Sequence, residues 1–353
     1  MTPMSFDYPI SVAILYSGGS SADDQDTLES VNGIAESLTN MGHMVRIFAV
    51  TKKNWRKAVR IPGDVVFNLV EDQGWEMYVK IGIHLEMLGR TQVGHDLRCF
   101  KYIATKAGMK RKMERMGIST PGFRIFNRRS HINQVRGLEY PLIVKPSGEH
   151  AGIGISQDSV VIDQEELIGR VKYLFKNYPG IVLAEEFIDG REIHVTVIGN
   201  GRHIICLPFS ELNFKGEFAD NWNVYTYDAK WEKESWEYWN VRVSAPAKVN
   251  RKLSDKIEKL SIAAYKAFGC RDIARMDIRI DEKDIPYVVD VNMMPSLNKF
   301  DDEDATLESV KALGWSYDEF IETIIAMTYK RVYGKLPKLI RERHFLLSAP
   351  VRV

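Results

Sequence analysis

Read for its hydrophobic and polar positions, the chain opens on an apolar run, SVAILY at residues 11–16, that stops at Ser17-Gly18-Gly19-Ser20-Ser21. Leu28, Val31, Ile34, Ala35 and Leu38 then recur at helical spacing, and a second apolar run follows Gly42 at residues 45–50. Strand, glycine loop, helix and strand in that order predict a β–α–β unit and a parallel sheet. DVVFNLV at 64–70 adds a buried-type strand, and a helix at 78–88 ends at Gly89. This first unit closes near Gly94.

Helical segments at 97–116 break at Gly117, and Pro121 follows. PLIVKP at 141–146 reads as a strand entering a loop with Gly148, Gly152 and Gly154, and further strands are predicted at 182–188, 192–198 and 203–208. Residues 213–239 are polar yet dense in aromatics, and they read as a long ordered loop of the functional kind. Helices are predicted at 251–268 and 317–333 around a β-hairpin. The hairpin has ARMDIRI at 274–280, four polar residues, and YVVDVN at 287–292. Side chains alternate across a strand, so Arg275, Asp277 and Arg279 oppose Met276, Ile278 and Ile280 in facing, and Asp290 and Asn292 share a face. Pairing Ile280 with Ile285 sets Arg275 opposite Asp290 and Asp277 opposite Val288. One face then carries Arg275, Asp277, Asp290 and Asn292: hard oxygen ligands of the kind Mg²⁺ takes beside phosphates, with a guanidinium suited to a phosphoryl group. A merely solvated charged face is the alternative.

The 353 residues exceed one ordinary core, so two or three subdomains are expected. A net charge of +1 gives no global electrostatic case for nucleic acid or an anionic membrane. Three scattered cysteines offer neither a metal spacing nor a disulfide framework and fit a reducing compartment. No apolar run reaches the roughly 18 residues of a membrane helix, and residues 1–9 lack the basic start of a signal peptide. A cytoplasmic location is expected.

Lys145 at the mouth of the glycine loop is placed to pair with a phosphate, although an ordinary turn with an exposed lysine would look the same. The acids of AEEFIDGRE at 184–192 could accept from a nucleobase and a ribose, or be surface acids. Lys230 in YDAKW could reach a ligand or pack its stem on Trp231. The glycines after the first strand lack G-x-G-x-x-G, which disfavours a Rossmann oxidoreductase.

These pieces stand in a recognisable order. SGGSSADDQDTLES, DVVFNLVED, LEMLG, TKAGMKRKMERMGISTP, YPLIVKPSGEHAGIGIS, VLAEEFIDGREIHVTVIG, YDAKW and CRDIARMDIRIDEKDIPYVVDVNMMP together resemble the D-alanine–D-alanine ligase-like branch of the ATP-grasp superfamily. The resemblance implies an α/β (α+β) protein: an N-terminal parallel unit at 1–94, ATP-clasping subdomains at 95–190 and 191–340, and a tail at 341–353. It implies ATP and Mg²⁺, one ion or two with Mn²⁺ as a substitute, small amino-acid-like substrates, and an amide formed through an acyl phosphate. Similar ligases are often dimers. In this reading Lys106, Lys145 and Lys230 contact phosphates, Glu185, Phe187 and Ile188 line the adenine pocket, and Glu192 holds the ribose. Asp277, Asp290 and Asn292 hold metal, and Arg275 stabilises the tetrahedral intermediate. Asp23 grips the first substrate, while Ser296 and Asp301 meet the second.

The departures concern substrate. Asp290 stands where the family usually has Glu, and Gly152 where a serine usually stands. Val70-Glu71-Asp72 replaces a histidine-glycine entrance. Met294-Pro295-Ser296-Leu297 replaces Pro-Gly, and Asp301 replaces a serine that receives the second D-alanine's carboxylate. A ligase with other substrates is expected, with a true D-alanine–D-alanine ligase and a catalytically silent ATP-binding module as rivals.

Overall fold

A computed structural model describes residues 9–19, 22–71, 75–95, 102, 104–132, 135, 137–337 and 340. The 341–353 tail and Cys99 lie outside the described residues, as does most of the predicted helical stretch at 97–105.

The first unit contains β1 (Ser11–Ser17), α1 (Ala22–Asn40), β2 (Met44–Val50), α2 (Trp55–Ala58), β3 (Val65–Leu69) and α3 (Glu76–Met87). Its three strands are parallel in the order β2-β1-β3, as the β–α–β pattern predicts. Every residue of β3 and the first five of β1 are buried, the continuous apolar signature of a sheet covered on both faces.

The second unit is antiparallel. Here α4 (Lys106–Met116) precedes β4 (Phe123–Phe126), β5 (Leu142–Pro146), β6 (Val160–Val161), α5 (Gln164–Asn177) and β7 (Val182–Glu186), in the sheet order β4-β7-β5-β6. The third unit has β8 (Arg191–Asn200), β9 (His203–Cys206), β10 (Ser210–Phe214), α6 (Tyr227–Trp231), α7 (Trp236–Asn240), β11 (Val241–Ser244), α8 (Arg251–Phe268), β12 (Asp272–Ile280), β13 (Pro286–Asn292), α9 (Ala305–Leu313) and α10 (Tyr317–Tyr333). Its antiparallel strands run β11-β10-β8-β12-β13, with β9 on β8.

Two helices tie these units together through shared cores. The face of α10 bearing Phe320, Ile321, Ile324 and Ile325 packs with Val12, Ile14, Ile34 and Phe67 of the first unit. Met109 and Met113 of α4 pack with Ile257 and Phe268 of α8 and Met276 and Ile278 of β12. The two antiparallel sheets line one cleft between them.

One expectation needs correction here. Residues 213–239 are not a single loop. They include the end of β10, a 3-10 turn at Gly216–Asp220, α6 and most of α7. Their aromatics make a small core of their own, with the Phe218 ring edge-on to Phe214 at 5.0 Å between centroids and tilted against Trp236 at 4.8 Å. The helices α5 and α9 have no counterpart in the sequence reading. Among the described residues no helix is long and apolar enough to cross a membrane.

Candidate active site

A cavity of about 310 Å³ lies between the two antiparallel sheets. Its walls bring together Lys106, Lys145, Glu185, Phe187, Ile188, Glu192, Lys230, Arg275, Asp277, Asp290, Asn292, Ser296 and Asp301, each picked out in the sequence. Asp23 is in the first turn of α1, but its side chain lies outside the described residues.

The hairpin supplies one wall in a register different from the one expected. Ile280 pairs with Pro286 and Ile278 with Val288, but Asp277 pairs with Asp290 and Arg275 with Asn292. The pairing therefore slips by one between Asp277 and Ile278, a β-bulge that places Val289 as the extra residue. Without it Asp277 would face Val289, and Asp290 would turn toward the core side with Met276. The bulge instead sets the two carboxylates directly opposite each other. Arg275 donates to Asp277 through Nε (2.7 Å) and Nη2 (3.1 Å), and the Asn292 amide donates to the same carboxylate at 2.7 Å. Burial alone would raise the Asp277 carboxyl, but Arg275 and then His194 hold it below the usual range. Asp277 in turn keeps the buried Arg275 guanidinium firmly charged.

The opposite wall is cationic. The Thr105 hydroxyl caps α4 by accepting from Gly108 N–H, and Ala107 N–H donates to the Ser147 hydroxyl, pinning the helix start against the glycine loop. Lys106 Nζ then lies 3.5 Å from Asp290 and donates to Glu149 O at 2.9 Å. One turn on, Lys110 reaches Glu185 at 3.0 Å, and Lys145 reaches the other oxygen of Glu185 at 3.0 Å. The sequence reading missed Lys110, although its i,i+4 spacing from Lys106 places both on one helix face. Burial pushes Lys110 down to about 8 despite Glu185. Lys145 is held above its usual value: burial opposes the shift, and Glu185 and Asp290 outweigh it. Glu185 itself lies below the carboxylate range because its two lysines outweigh burial.

Glu192 sits on β8 between His194 Nε2 (3.2 Å) and Arg279 Nη1 (2.9 Å). Burial opposes ionisation there, but His194 and Arg279 bring the carboxyl down to about 2. Arg279 also donates to Ile188 O and Asn223 O, lies 5.1 Å over the Phe187 ring, and keeps Nη2 buried with no partner among the described residues. It continues the alternation that singles out Arg275 and Asp277, yet the sequence reading gave it no role.

The aromatic segment folds over the glycine loop. Tyr227 N–H donates to Ile155 O (3.1 Å), Trp231 Nε1 to Ala151 O (2.9 Å), and Trp222 N–H to the Gln157 side chain (3.1 Å). Gly152 has φ +80°, and a Cβ there would sit 3.3 Å from the Tyr227 backbone, so a side chain would be both strained and crowded. Lys230 stacks on Trp231, its Nζ 4.4 Å from the ring centroid. Its chemistry and its packing on Trp231 therefore coexist at the cavity wall. Residues 218–231 are expected to gain hydrogen-exchange protection with an ATP analogue, since Lys230 then acquires a phosphate partner. Equal protection with and without the analogue would rule out a lid.

These residues fit a divalent cation accompanied by phosphate. Asp277 and Asp290 set two carboxylates directly opposite each other, partly offset by Arg275 and Lys106, and the Asn292 amide, donating through nitrogen, keeps its oxygen as an acceptor. No group of three His, Cys, Asp or Glu side chains suits a metal among the described residues. Mg²⁺ needs none, because it takes one or two carboxylates and completes its shell with phosphate and water.

Comparisons with known proteins agree with this arrangement. A family model described as D-ala D-ala ligase C-terminus matches residues 113–326. The chain is 31% identical over 276 residues to an uncharacterized protein, y4sG, of Sinorhizobium fredii, covering 76% of each. It is 27% identical to a D-alanine–D-alanine ligase of Bordetella avium, over 89% of this chain and 93% of that one. A crystal structure of D-alanine–D-alanine ligase from Bacillus anthracis superposes with a TM-score of 0.73 at 21% identity, covering 92% of this chain and 99% of that one. The same enzyme complexed with ATP gives 0.72. The fold is therefore the one those structures share.

Proposed function

We propose, from the premise that this chain belongs to the D-alanine–D-alanine ligase family, that it is an ATP-dependent, ADP-forming carboxylate–amine ligase acting on amino-acid-like substrates. The observation that carries this reading is the facing of Arg275, Asp277, Asp290 and Asn292 toward Lys106 and Lys145 across one cavity. A module that merely binds nucleotide has no need of a guanidinium on the metal face.

Lys106 and Lys145 hold the phosphates, with Lys230 closing from the lid. Glu185, Phe187 and Ile188 surround the base, and Glu192, fixed by Arg279 and His194, takes the ribose hydroxyls. Mg²⁺ held by Asp277, Asp290 and Asn292 would neutralise phosphate charge. A substrate carboxylate takes the terminal phosphoryl group and ADP leaves. The amine then attacks the acyl phosphate, forming the C–N bond as the bond to phosphate breaks and the amine loses a proton. Arg275 stabilises the oxyanion that develops in between.

The near full-length match to D-alanine–D-alanine ligases favours a second reading, a true ligase of that specificity. The test is phosphate release with ATP, Mg²⁺ and amino acids singly and in pairs, with mass spectrometry of the products. An amide accompanied by ADP is expected. D-alanyl-D-alanine as the efficient product would establish the second reading. No turnover with any pair would leave the nucleotide-binding module.

A further inference from the structure

Beyond Arg275, the cavity ends in acceptors whose neighbouring donors are spent on the protein itself. The Ser296 hydroxyl donates to Asp26 (3.2 Å), and the Asn298 amide donates to Asp26 (2.8 Å) and Glu29 (2.7 Å). At the start of α9, Thr306 and Leu307 N–H donate to Asp304 (2.8 and 2.9 Å), so these two donors are spent on the helix cap. Glu303 N–H donates to Asp301 (2.9 Å), and Val243 N–H to the Glu303 carboxylate, which also lies 3.5 Å from Arg242. What faces the cavity is Asp301, Glu303 and Asp304. Asp301 forms no ion pair among the described residues, and Lys230, whose charge it feels, is stacked on Trp231.

We infer that the amine substrate carries a second, cationic group, an ammonium or guanidinium besides the attacking nitrogen, which Asp301 receives. This rests on the ligase reading above and names its acceptor. A free carboxylate arriving at this end meets acids, and the Thr306, Leu307 and Glu308 N–H groups of α9 already donate to Asp304, whereas a cation meets acceptors already in place. Charge complementarity of this kind selects partners more than it adds affinity. The charge of the wall and the commitment of these donors are separate observations on one cavity, and both favour a cation over an anion at this end.

The test uses hydroxylamine, which traps an acyl phosphate whatever amine the enzyme prefers. Once a donor carboxylate yields hydroxamate, kcat/KM is compared for 1,4-diaminobutane against butylamine, for lysinamide against norleucinamide, and for alanine. The cationic member of each pair is expected to lead by about tenfold, and alanine to be the poorest. Asp301→Asn, which keeps an oxygen for Glu303 N–H, should bring each pair close to parity; Asp301→Ser should do the same, with melting temperature checking the fold of both. Hydroxamate formation with no cationic preference, or a preference that survives both substitutions, overturns the inference. No hydroxamate with any carboxylate overturns the ligase reading and this inference with it.

Discussion

Asp277→Asn is expected to lower ADP and amide production by about 10²–10³-fold, the scale for losing one preorganised charge at a reacting centre. The substitution keeps an oxygen to accept from Arg275 Nε and removes the charge that faces Asp290 across the bulge. Because the Asp277 carboxyl lies below its usual pKa in the folded protein, its charge also stabilises the fold. That contribution is present above the unfolded carboxyl pKa and is lost as pH falls through the folded one. At neutral pH the variant should lose about 1.5–3 kcal/mol, the order of one hydrogen bond to a charged group. Arg275 spends two N–H groups on Asp277, so any cation bound there competes with the guanidinium for the same carboxylate. Turnover at the wild-type rate, or a chain that no longer folds, would remove Asp277 from the metal site.

The hairpin was legible in the sequence because two chemistries obeyed one period: apolar residues toward the core and Arg275, Asp277, Asp290 and Asn292 toward the cavity. Its bulge was not legible. Val288 and Val289 are both apolar, so the alternation does not reveal that one of them is extra, yet without the extra residue Asp277 would meet Val289 and not Asp290. Aromatic density at 213–239 correctly marked a segment that folds over the site. It hid the local helices, whose Ser and Thr caps at Thr226 and Ser235 are brief signals within a polar stretch. The helix α5 went unread although its start carries a capping residue: Asp163 accepts from Glu165 and Glu166 N–H. Gly152 looked like a lost side chain; its positive φ and the close approach of the Tyr227 backbone make it the residue that lets the aromatic segment lie close. Lys110 escaped notice because nothing local distinguishes it from its solvated neighbours on a helix rich in lysine and arginine. Its importance comes from β7, which delivers Glu185 to it from 75 residues away.

That buried trio carries the largest stability effect. Glu185→Gln is expected to cost roughly 3–5 kcal/mol at pH 7, the scale for breaking a buried ion pair by removing one partner. Lys110 and Lys145 would then share a neutral amide where each had a carboxylate oxygen at 3.0 Å. The pH dependence separates this from simple loss of packing. In the wild type Lys110 is already depressed to about 8, from an ordinary value of 10.5. Between those values the unfolded chain binds more protons there than the folded one, so Lys110 makes stability rise with pH. Without Glu185 the folded pKa of Lys110 falls further and Lys145 loses the first of the charges that raise it. The rise then begins at lower pH and is steeper. Urea unfolding of both proteins from pH 7 to 10 should show a gap that narrows as pH increases. A constant gap would mean that Glu185 fills space and that its charge is immaterial. A saturating ATP analogue should raise the wild-type melting temperature and raise the variant's less, because binding stabilises only the folded state that can hold the ligand, and Lys145 and Glu185 both line the cavity that would receive it.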